Sequence, residues 1–332
     1  MQPVLNIKQL DVKFMHPTGV VHAVRQLTLT LASGTCLGVV GESGSGKTQA
    51  FMAVMGLLEK NAWVQGRVEF EGREILGASP KTLNQIRGSK LTMVFQDPMS
   101  SLTPHLTIGA QMAEVLVVHQ HDSWCNAKHA ALQMLDRVRV PEAARRLTSY
   151  PHELSGGMRQ RVMIGMSLLC NPSLLIADEP TTALDVTVQA QIIELLKEMR
   201  AELGLSLVLI SHDLAVVLGL ADRIAVMYAG RIVEQASGSD IFQHAQHPYT
   251  VELLKCTPDL ATPRLDRLPT LQGFPPDLTQ ELQGCDFAPR CSRVSEVCHT
   301  VRPELRIKSV ARGGVGAVSE VHEVACHNPY ET

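Results

Sequence analysis

No stretch of the 332 residues approaches the roughly 18 uninterrupted apolar residues that a membrane-spanning helix needs. The best candidate, Val162 to Cys170, is short and runs at once into Asn171-Pro172, so a buried helix is expected there. An excess of positive charge is also missing. Thirty Lys and Arg against 33 Asp and Glu give a formal charge of −3, which excludes the broad positive field of a chain that wraps nucleic acid. A local basic patch stays open. The opening residues place Lys8, Asp11 and Lys13 among apolar ones, unlike a secretory leader. The expected location is therefore the cytoplasm, with any membrane role coming through a partner. There is no internal repeat and no low-complexity tract.

What is present is an ordinary globular composition, 45% apolar with a mean hydropathy of +0.06, enough for a sizeable core. At about 150 residues per domain the length suggests two structural units. Short apolar runs alternate with helical patterns up to about Gly238. Thr35 to Val40, Leu91 to Phe95, Leu174 to Ala177 and Leu205 to Ile210 read as buried parallel strands. Thr48 to Leu58 is apolar nearly all round, as a buried helix is. Gln189 to Leu203 has helical periodicity and stops at Gly204, a C-terminal cap. Arg223 to Tyr228, Ala229-Gly230 and Arg231 to Gln235 read as a hairpin. Such alternation implies an α/β sheet. Between about 97 and 170 the strand signal fades and a mostly helical insert is expected. Eight of 18 prolines lie in residues 256–332, so the chain divides into a domain over 1–255 and an irregular accessory region over 256–332.

Gly41-Glu42-Ser43-Gly44-Ser45-Gly46-Lys47-Thr48 fits the phosphate-cradling loop G-x-x-x-x-G-K-[ST]. Glycines let backbone N–H groups turn inward around phosphate oxygens, and the following helix aims its positive end at them. Lys47 would neutralise the β/γ-phosphates and the Thr48 hydroxyl would ligate Mg²⁺. Leu174 to Ala177 then ends in Asp178-Glu179, adjacent carboxylates that point to opposite sides of a strand tip. Asp178 suits the metal and Glu179 a general base for the attacking water. Leu154-Ser155-Gly156-Gly157-Met158-Arg159-Gln160-Arg161 opens a further helix, from about Met158 to Cys170, and forms a second anion site through its N–H groups and the Ser155 hydroxyl.

Taken together, these motifs resemble the nucleotide-binding subunits of ATP-binding cassette transporters. The resemblance spans roughly residues 4–332 and implies a P-loop NTPase fold with a helical subdomain. It also implies that the signature motif of one subunit, here Ser155, Gly156 and Gly157, closes on the γ-phosphate held by the other subunit's phosphate loop. Gln96 matches the glutamine that senses metal and attacking water, and Ala183-Leu184-Asp185 matches the D-loop, with Asp185 at the dimer interface. His212 matches the switch histidine at the γ-phosphate. Phe14 is a candidate for stacking on adenine, with a core strand position as the alternative. The signature carries Met158 where many members have Gln, and Thr48 replaces the more usual Ser; neither change removes a needed chemical group.

Gln96 to Leu102, Tyr150 to Leu154, Asp178 to Gln191 and His247-Pro248-Tyr249-Thr250 are similar to the ATPases of bacterial peptide importers, the oligopeptide/dipeptide/nickel group. Met55 to Leu58 and Gly72 to Leu76 are most like the D-type ATPases of oligopeptide permeases. That resemblance implies a peripheral subunit on the cytoplasmic face of the bacterial inner membrane. Its partners would be a second, paralogous ATPase, two multispanning permeases and a peptide-binding protein outside the cell, with no nucleic acid. The segment from about Pro98 to His121 would dock the membrane partner. Related importers of dipeptides, nickel or glutathione are the alternative, and a soluble non-transport ATPase a more distant one.

Of eight cysteines, Cys36, Cys125, Cys170 and Cys256 read as small core hydrophobes. Cys285, Cys291, Cys298 and Cys326 cluster near the end, and four thiolates can bind Zn²⁺ or a [4Fe–4S] cluster. The spacing does not choose between them; the importer resemblance implies the iron–sulfur cluster.

Overall fold

The computed structural model describes residues 2–17, 19–97, 101–182, 184–256, 271–280, 283–311 and 320–331. Pro98, Met99, Ser100 and Ala183, which belong to expected motifs, lie outside the described residues. The strands are β1 (Pro3–His16), β2 (Gly19–Ala32), β3 (Cys36–Val40), β4 (Ala62–Phe70), β5 (Arg73–Glu74), β6 (Leu91–Val94), β7 (Leu174–Asp178), β8 (Ser206–Ser211), β9 (Arg223–Tyr228), β10 (Arg231–Ser237), β11 (Arg306–Ala311) and β12 (Glu320–Val324). They distribute over two compact units, one of Leu5–Thr30, Cys36–Leu76 and Ser211–Thr332, the other of Met1–Val4, Leu31–Thr35 and Gly77–Ile210.

The first unit holds the phosphate loop. β3 is buried along its whole length, as a strand covered on both faces must be, and runs parallel to β9 from Leu37↔Arg223 to Val40↔Val226. β9 turns back on β10 through Ala229 and Gly230, both at positive φ, which suits the expected hairpin. A second, antiparallel sheet has the order β2-β1-β4-β5. In β2 the buried Leu27, Leu29 and Leu31 alternate with exposed Gln26, Thr28 and Thr30, the period of a strand with one wet face. The accessory region departs from the irregular form expected of it. β12 pairs with β10 at Glu234↔Val324 and β11 pairs with β12, so the chain end extends the main sheet. The buried His322 and Val324 alternate with the half-exposed Val321 and Glu323, a signal of only four residues beside proline-rich text.

The second unit holds the parallel strands β6, β7 and β8, joined at Leu91↔Leu174 and Leu174↔Ser206. The helix Val186–Leu203 stops at Gly204, φ 62°, as expected. It buries Ile192, Leu195, Leu196 and Met199, each worth about 1.5–3 kcal/mol. The expected helical insert is a packed set: Ile108–Gln120, Trp124–Arg137, Ala143–Arg146 and Gly156–Leu168. Thr107, Ser123 and Ser155 cap three of these through their hydroxyls. Cys125 is exposed, against expectation. Trp124–Arg137 buries Ala127, Ala131, Met134 and Leu135, and a residue two before Ala127 falls on the opposite face. Of the other three, Cys36 is buried, whereas Cys170 and Cys256 are only half-buried.

Candidate functional site

The phosphate loop joins β3 to the helix Lys47–Met55, which begins one residue earlier than its periodicity suggests and ends at Gly56. Gly46 has φ 94°, and a Cβ there would stand 2.2 Å from the Ala23 carbonyl oxygen, so no other residue fits. Lys47 is buried, its ammonium donating to the carbonyls of Gly41 (2.7 Å) and Glu42 (2.9 Å). Backbone amides at a helix start together with a buried cation form a cradle for a polyphosphate. Ser43 and Gly44 are exposed at the rim and Ser45 is buried. Thr48 is half-buried in the first turn of the helix.

Glu42 is held by Tyr249 and Arg290. Its backbone N–H donates to Tyr249 Oη (2.8 Å), and its carboxylate takes a two-pronged contact from Arg290, Nη1–Oε2 2.6 Å and Nη2–Oε1 3.0 Å. Arg290 also donates to Tyr228 Oη (3.3 Å). The Glu42 contact, first among several, holds the Arg290 pKa above its usual value. Burial pushes the Tyr249 phenol well up, so it stays neutral. Tyr228, Tyr249 and Phe287 pack their rings at 4.6–5.4 Å behind the loop. His212 follows β8 and is exposed, and Asp213 caps the helix Leu214–Leu218. Phe14 is half-buried near the end of β1, opposite Ala62, in the same unit as the loop.

The carboxylate pair lies in the other unit. Asp178 ends β7 and is buried; Glu179 has left-handed backbone, φ 45°, and its N–H donates to the Ile210 carbonyl (2.9 Å). Glu179 Oε2 accepts from Gln96 Nε2 (2.8 Å) and from Thr182 Oγ1 (2.8 Å), so Gln96 and Glu179, expected to act together, do meet. These two donors fix the orientation of the carboxylate. The signature residues Ser155 and Gly156 are exposed at a helix N-terminus, with Ser155 Oγ accepting from Met158 N (3.3 Å). A Cβ on Gly157 would stand 2.9 Å from Val188 Cγ1, so this turn sits tight on the next helix. Asp185 Oδ1 accepts from Val188 N (3.0 Å) and caps Val186–Leu203, with Val186 80% exposed beside it.

The four late cysteines come within electrostatic reach of one another: the Cys326 thiol feels Cys285, Cys291 and Cys298. Burial pushes the Cys285 and Cys326 thiols up to about 11, and raises Cys291 as well. Each of these three sulfurs also receives a backbone N–H from two residues on: Phe287 for Cys285, Arg293 for Cys291 (3.3 Å) and Asn328 for Cys326. Such donors favour a charged sulfur. Among the described residues no group of three or more His, Cys, Asp or Glu is gathered to hold a single ion.

Residues 24–182 match the family described as ABC transporter, and residues 233–298 match the oligopeptide/dipeptide transporter C-terminal region. The oligopeptide transport ATP-binding protein OppD of Haemophilus influenzae is 50% identical, over 92% of this chain and 94% of that protein. The chain belongs to the ATP-binding proteins of ABC transporters. The dipeptide transport ATP-binding protein DppD of Bacillus subtilis is 45% identical over 93% of this chain and 92% of its own length. Among solved structures, the cassette MJ0796 in a dimeric post-hydrolysis state with ADP and Pi matches with a TM-score of 0.64, 27% identity, 70% of this chain and 98% of that one.

As an ABC ATPase, the chain has the P-loop NTPase fold and hydrolyses ATP. Among the described residues no helix is long and apolar enough to cross a membrane. Four contributors to the site escape sequence reading. Thr182 follows the carboxylate pair directly and had a local signal, a hydroxyl three residues after Glu179. Glu42, Tyr249 and Arg290 had none, because the loop and its braces are 207 and 248 residues apart.

Proposed function

We propose that this chain is the ATP-hydrolysing subunit that powers import of peptides, oligopeptides foremost, across the bacterial inner membrane. It works from the cytoplasmic face with a second, paralogous ATPase, two multispanning permeases and an external peptide-binding protein. The observation that carries this reading is the exposed helix N-terminus at Ser155-Gly156, a second anion site in addition to the phosphate loop. One chain needs one such cradle to bind ATP. A second, facing outward, suits the γ-phosphate of a nucleotide held by the companion.

In each composite site the loop from Gly41 through Ser43, Gly44, Ser45 and Gly46 cradles the phosphates, and Lys47 neutralises them. Thr48, Gln96 and Asp178 hold Mg²⁺; Glu179 accepts the proton of the attacking water; His212 contacts the γ-phosphate; Phe14 stacks on adenine. Ser155, Gly156 and Gly157 close on the companion's nucleotide and Asp185 lines the interface. Closure is driven by phosphate contacts present only in the closed state, and hydrolysis releases them. The domain division is 1–255 for the ATPase, with its helical subdomain over about 97–170, and 256–332 for the accessory region.

Cys285, Cys291, Cys298 and Cys326 hold a [4Fe–4S] cluster in this reading. The support is the mutual approach of the thiols and the three backbone N–H groups aimed at sulfur, hydrogen bonds that tune such clusters. A zinc ion at about 2.3 Å from each sulfur would draw the thiols into one tight group.

Glu179→Gln tests the assignment: ATP binding persists, turnover nearly vanishes, and the closed pair accumulates. Unchanged hydrolysis would remove Glu179 from the base role. Lys47→Ala weakens nucleotide binding itself, and normal affinity would refute the loop's role. Iron and sulfide analysis of anaerobically purified protein tests the cluster, and one equivalent of zinc without visible absorbance would replace it.

A further inference from the structure

In the unit that carries the phosphate loop, the carboxylate of Glu234 on β10 is fully buried and takes three hydrogen bonds. Its donors are the backbone N–H groups of Gln246 (2.7 Å) and His247 (3.1 Å) and the ring Nε2 of His322 (2.7 Å). A carboxylate only accepts, so His322 carries a proton on Nε2. The Glu234↔Val324 pairing makes His322, two residues earlier on β12, the diagonal neighbour of Glu234 on the same face of the sheet. Two further contacts from the chain end reach the same place. Ala325 N–H donates to the Val233 carbonyl (2.8 Å) and Tyr330 N–H to the Gln246 carbonyl (2.8 Å). A buried carboxylate is costly unless donors saturate it, and His322 is the one side chain among the three that do so.

Glu234 in turn fixes the entry to the helix Pro248–Lys255. Its two backbone bonds hold residues 246 and 247, and His247 Nδ1 caps the helix by accepting from Tyr249 N–H (3.1 Å). Burial lowers the His247 pKa to about 4, which leaves that nitrogen able to accept. Tyr249 is thereby placed with its ring against Tyr228 (4.6 Å) and Phe287 (5.4 Å) and its phenol oxygen 2.8 Å from the Glu42 N–H of the phosphate loop. Tyr249, His247, Glu234 and His322 are all buried, so the line from the loop to β12 is never opened to water competition. Arg290 reaches the Glu42 side chain, whereas this line reaches its backbone. A cradle of amides binds phosphate best when its shape is set before the ligand arrives, because the ordering cost is then already met.

We infer that His322 is a positioning residue for nucleotide binding: through Glu234 and His247 it sets Tyr249, and Tyr249 sets the Glu42 amide of the phosphate loop. It touches no nucleotide itself. The inference rests on the reading of residues 41–48 as the nucleotide cradle, and it makes the last strand of the chain part of what preorganises that cradle.

The test measures equilibrium binding of Mg·ATP to the full chain by calorimetry, with Tm taken on the same samples. His322→Ala raises Kd about three- to tenfold, part of the loss of a buried hydrogen bond to a charged group being felt at the loop. His322→Gln, whose amide N–H can stand in for Nε2, restores most of the affinity. Tyr249→Phe keeps the ring and its packing and raises Kd by a similar factor. Adding His322→Ala to Tyr249→Phe raises Kd by less than about twofold more, because both act on one contact. Wild-type affinity in Tyr249→Phe, independent losses in the double variant, no recovery in His322→Gln, or a His322→Ala chain with lower Tm and wild-type affinity would each overturn the inference. The last would leave His322 a clasp for β12 alone. If His322→Ala does not fold, Tyr249→Phe decides. Lys47→Ala, measured alongside, separates this inference from the reading it rests on. Normal affinity there removes the cradle and the inference with it; lost affinity there with wild-type affinity in Tyr249→Phe removes the inference only.

Discussion

Replacing Arg290 by Ala should weaken ATP binding although Arg290 belongs to the accessory region and touches the phosphate loop only through Glu42. The Arg290 side chain is 3% exposed and that of Glu42 25%, and the two share contacts of 2.6 and 3.0 Å. A charge-assisted hydrogen bond contributes about 1.5–3 kcal/mol in a buried setting. With one partner a quarter exposed, the pair of bonds together is placed at about 2–3 kcal/mol. The Tyr249 contact to the Glu42 N–H survives and keeps part of the loop in place, leaving about 1–2 kcal/mol to be met again as ordering cost on binding. At 1.4 kcal/mol per decade, the Kd for Mg·ATP rises about five- to thirtyfold. Calorimetry on the full chain measures it. Arg290→Lys should fall between, because a point charge cannot fork. A double-mutant cycle with Glu42→Gln should give a coupling of about 1 kcal/mol or more. Wild-type affinity in Arg290→Ala, or additive effects in the cycle, would refute the brace.

Thr182→Val removes one of two donors to Glu179 Oε2, and kcat should fall about tenfold with ATP affinity unchanged in equilibrium binding; an unaltered kcat would show that Gln96 alone orients the carboxylate. Gly46→Ala should abolish nucleotide binding, since its Cβ meets the Ala23 carbonyl at 2.2 Å at φ +94°, and retained binding would contradict the backbone geometry. His247 is fully buried, and desolvation, outweighing Glu234, lowers its pKa from 6.5 to about 4. Between those values the unfolded chain binds the extra proton, so this contribution is complete above pH 6.5. It is lost as pH falls towards 4, amounting to on the order of 3 kcal/mol. His247→Asn, which can still cap the helix Pro248–Lys255, should flatten the stability profile in that window; identical acid sensitivity in both chains would reassign it.

The motifs that can be read from the sequence are those whose chemistry is local. The glycine loop, the Asp178-Glu179 strand tip and the Ser155 cap each need only consecutive residues, and their placement on strand ends and helix starts follows from the same short stretches. Gly204 and the hairpin turn at Ala229-Gly230 are legible for the same reason. Glu179 is harder. Its left-handed backbone has no marker in a residue type that rarely adopts it, yet it decides where the carboxylate points. The bracing of Glu42 by Tyr249 and Arg290 depends on strand order and could not be seen from spacing. β12 was missed because pairing with β10, not an extended apolar pattern, makes it a strand. Cys125 misled because a small apolar residue carries no sign of which helix face it occupies.

The central claim is that nucleotide is shared between this chain and a companion. The direct measurement is the mass, by light scattering, of the Glu179→Gln chain mixed with the proposed paralogous ATPase, with and without Mg·ATP, alongside counting of bound nucleotide. The account predicts an ATP-dependent pair with two nucleotides that Ser155→Arg disrupts while leaving the phosphate loop's own affinity intact. Chains that stay apart when saturated with ATP, or a pair indifferent to both ATP and Ser155→Arg, would contradict it.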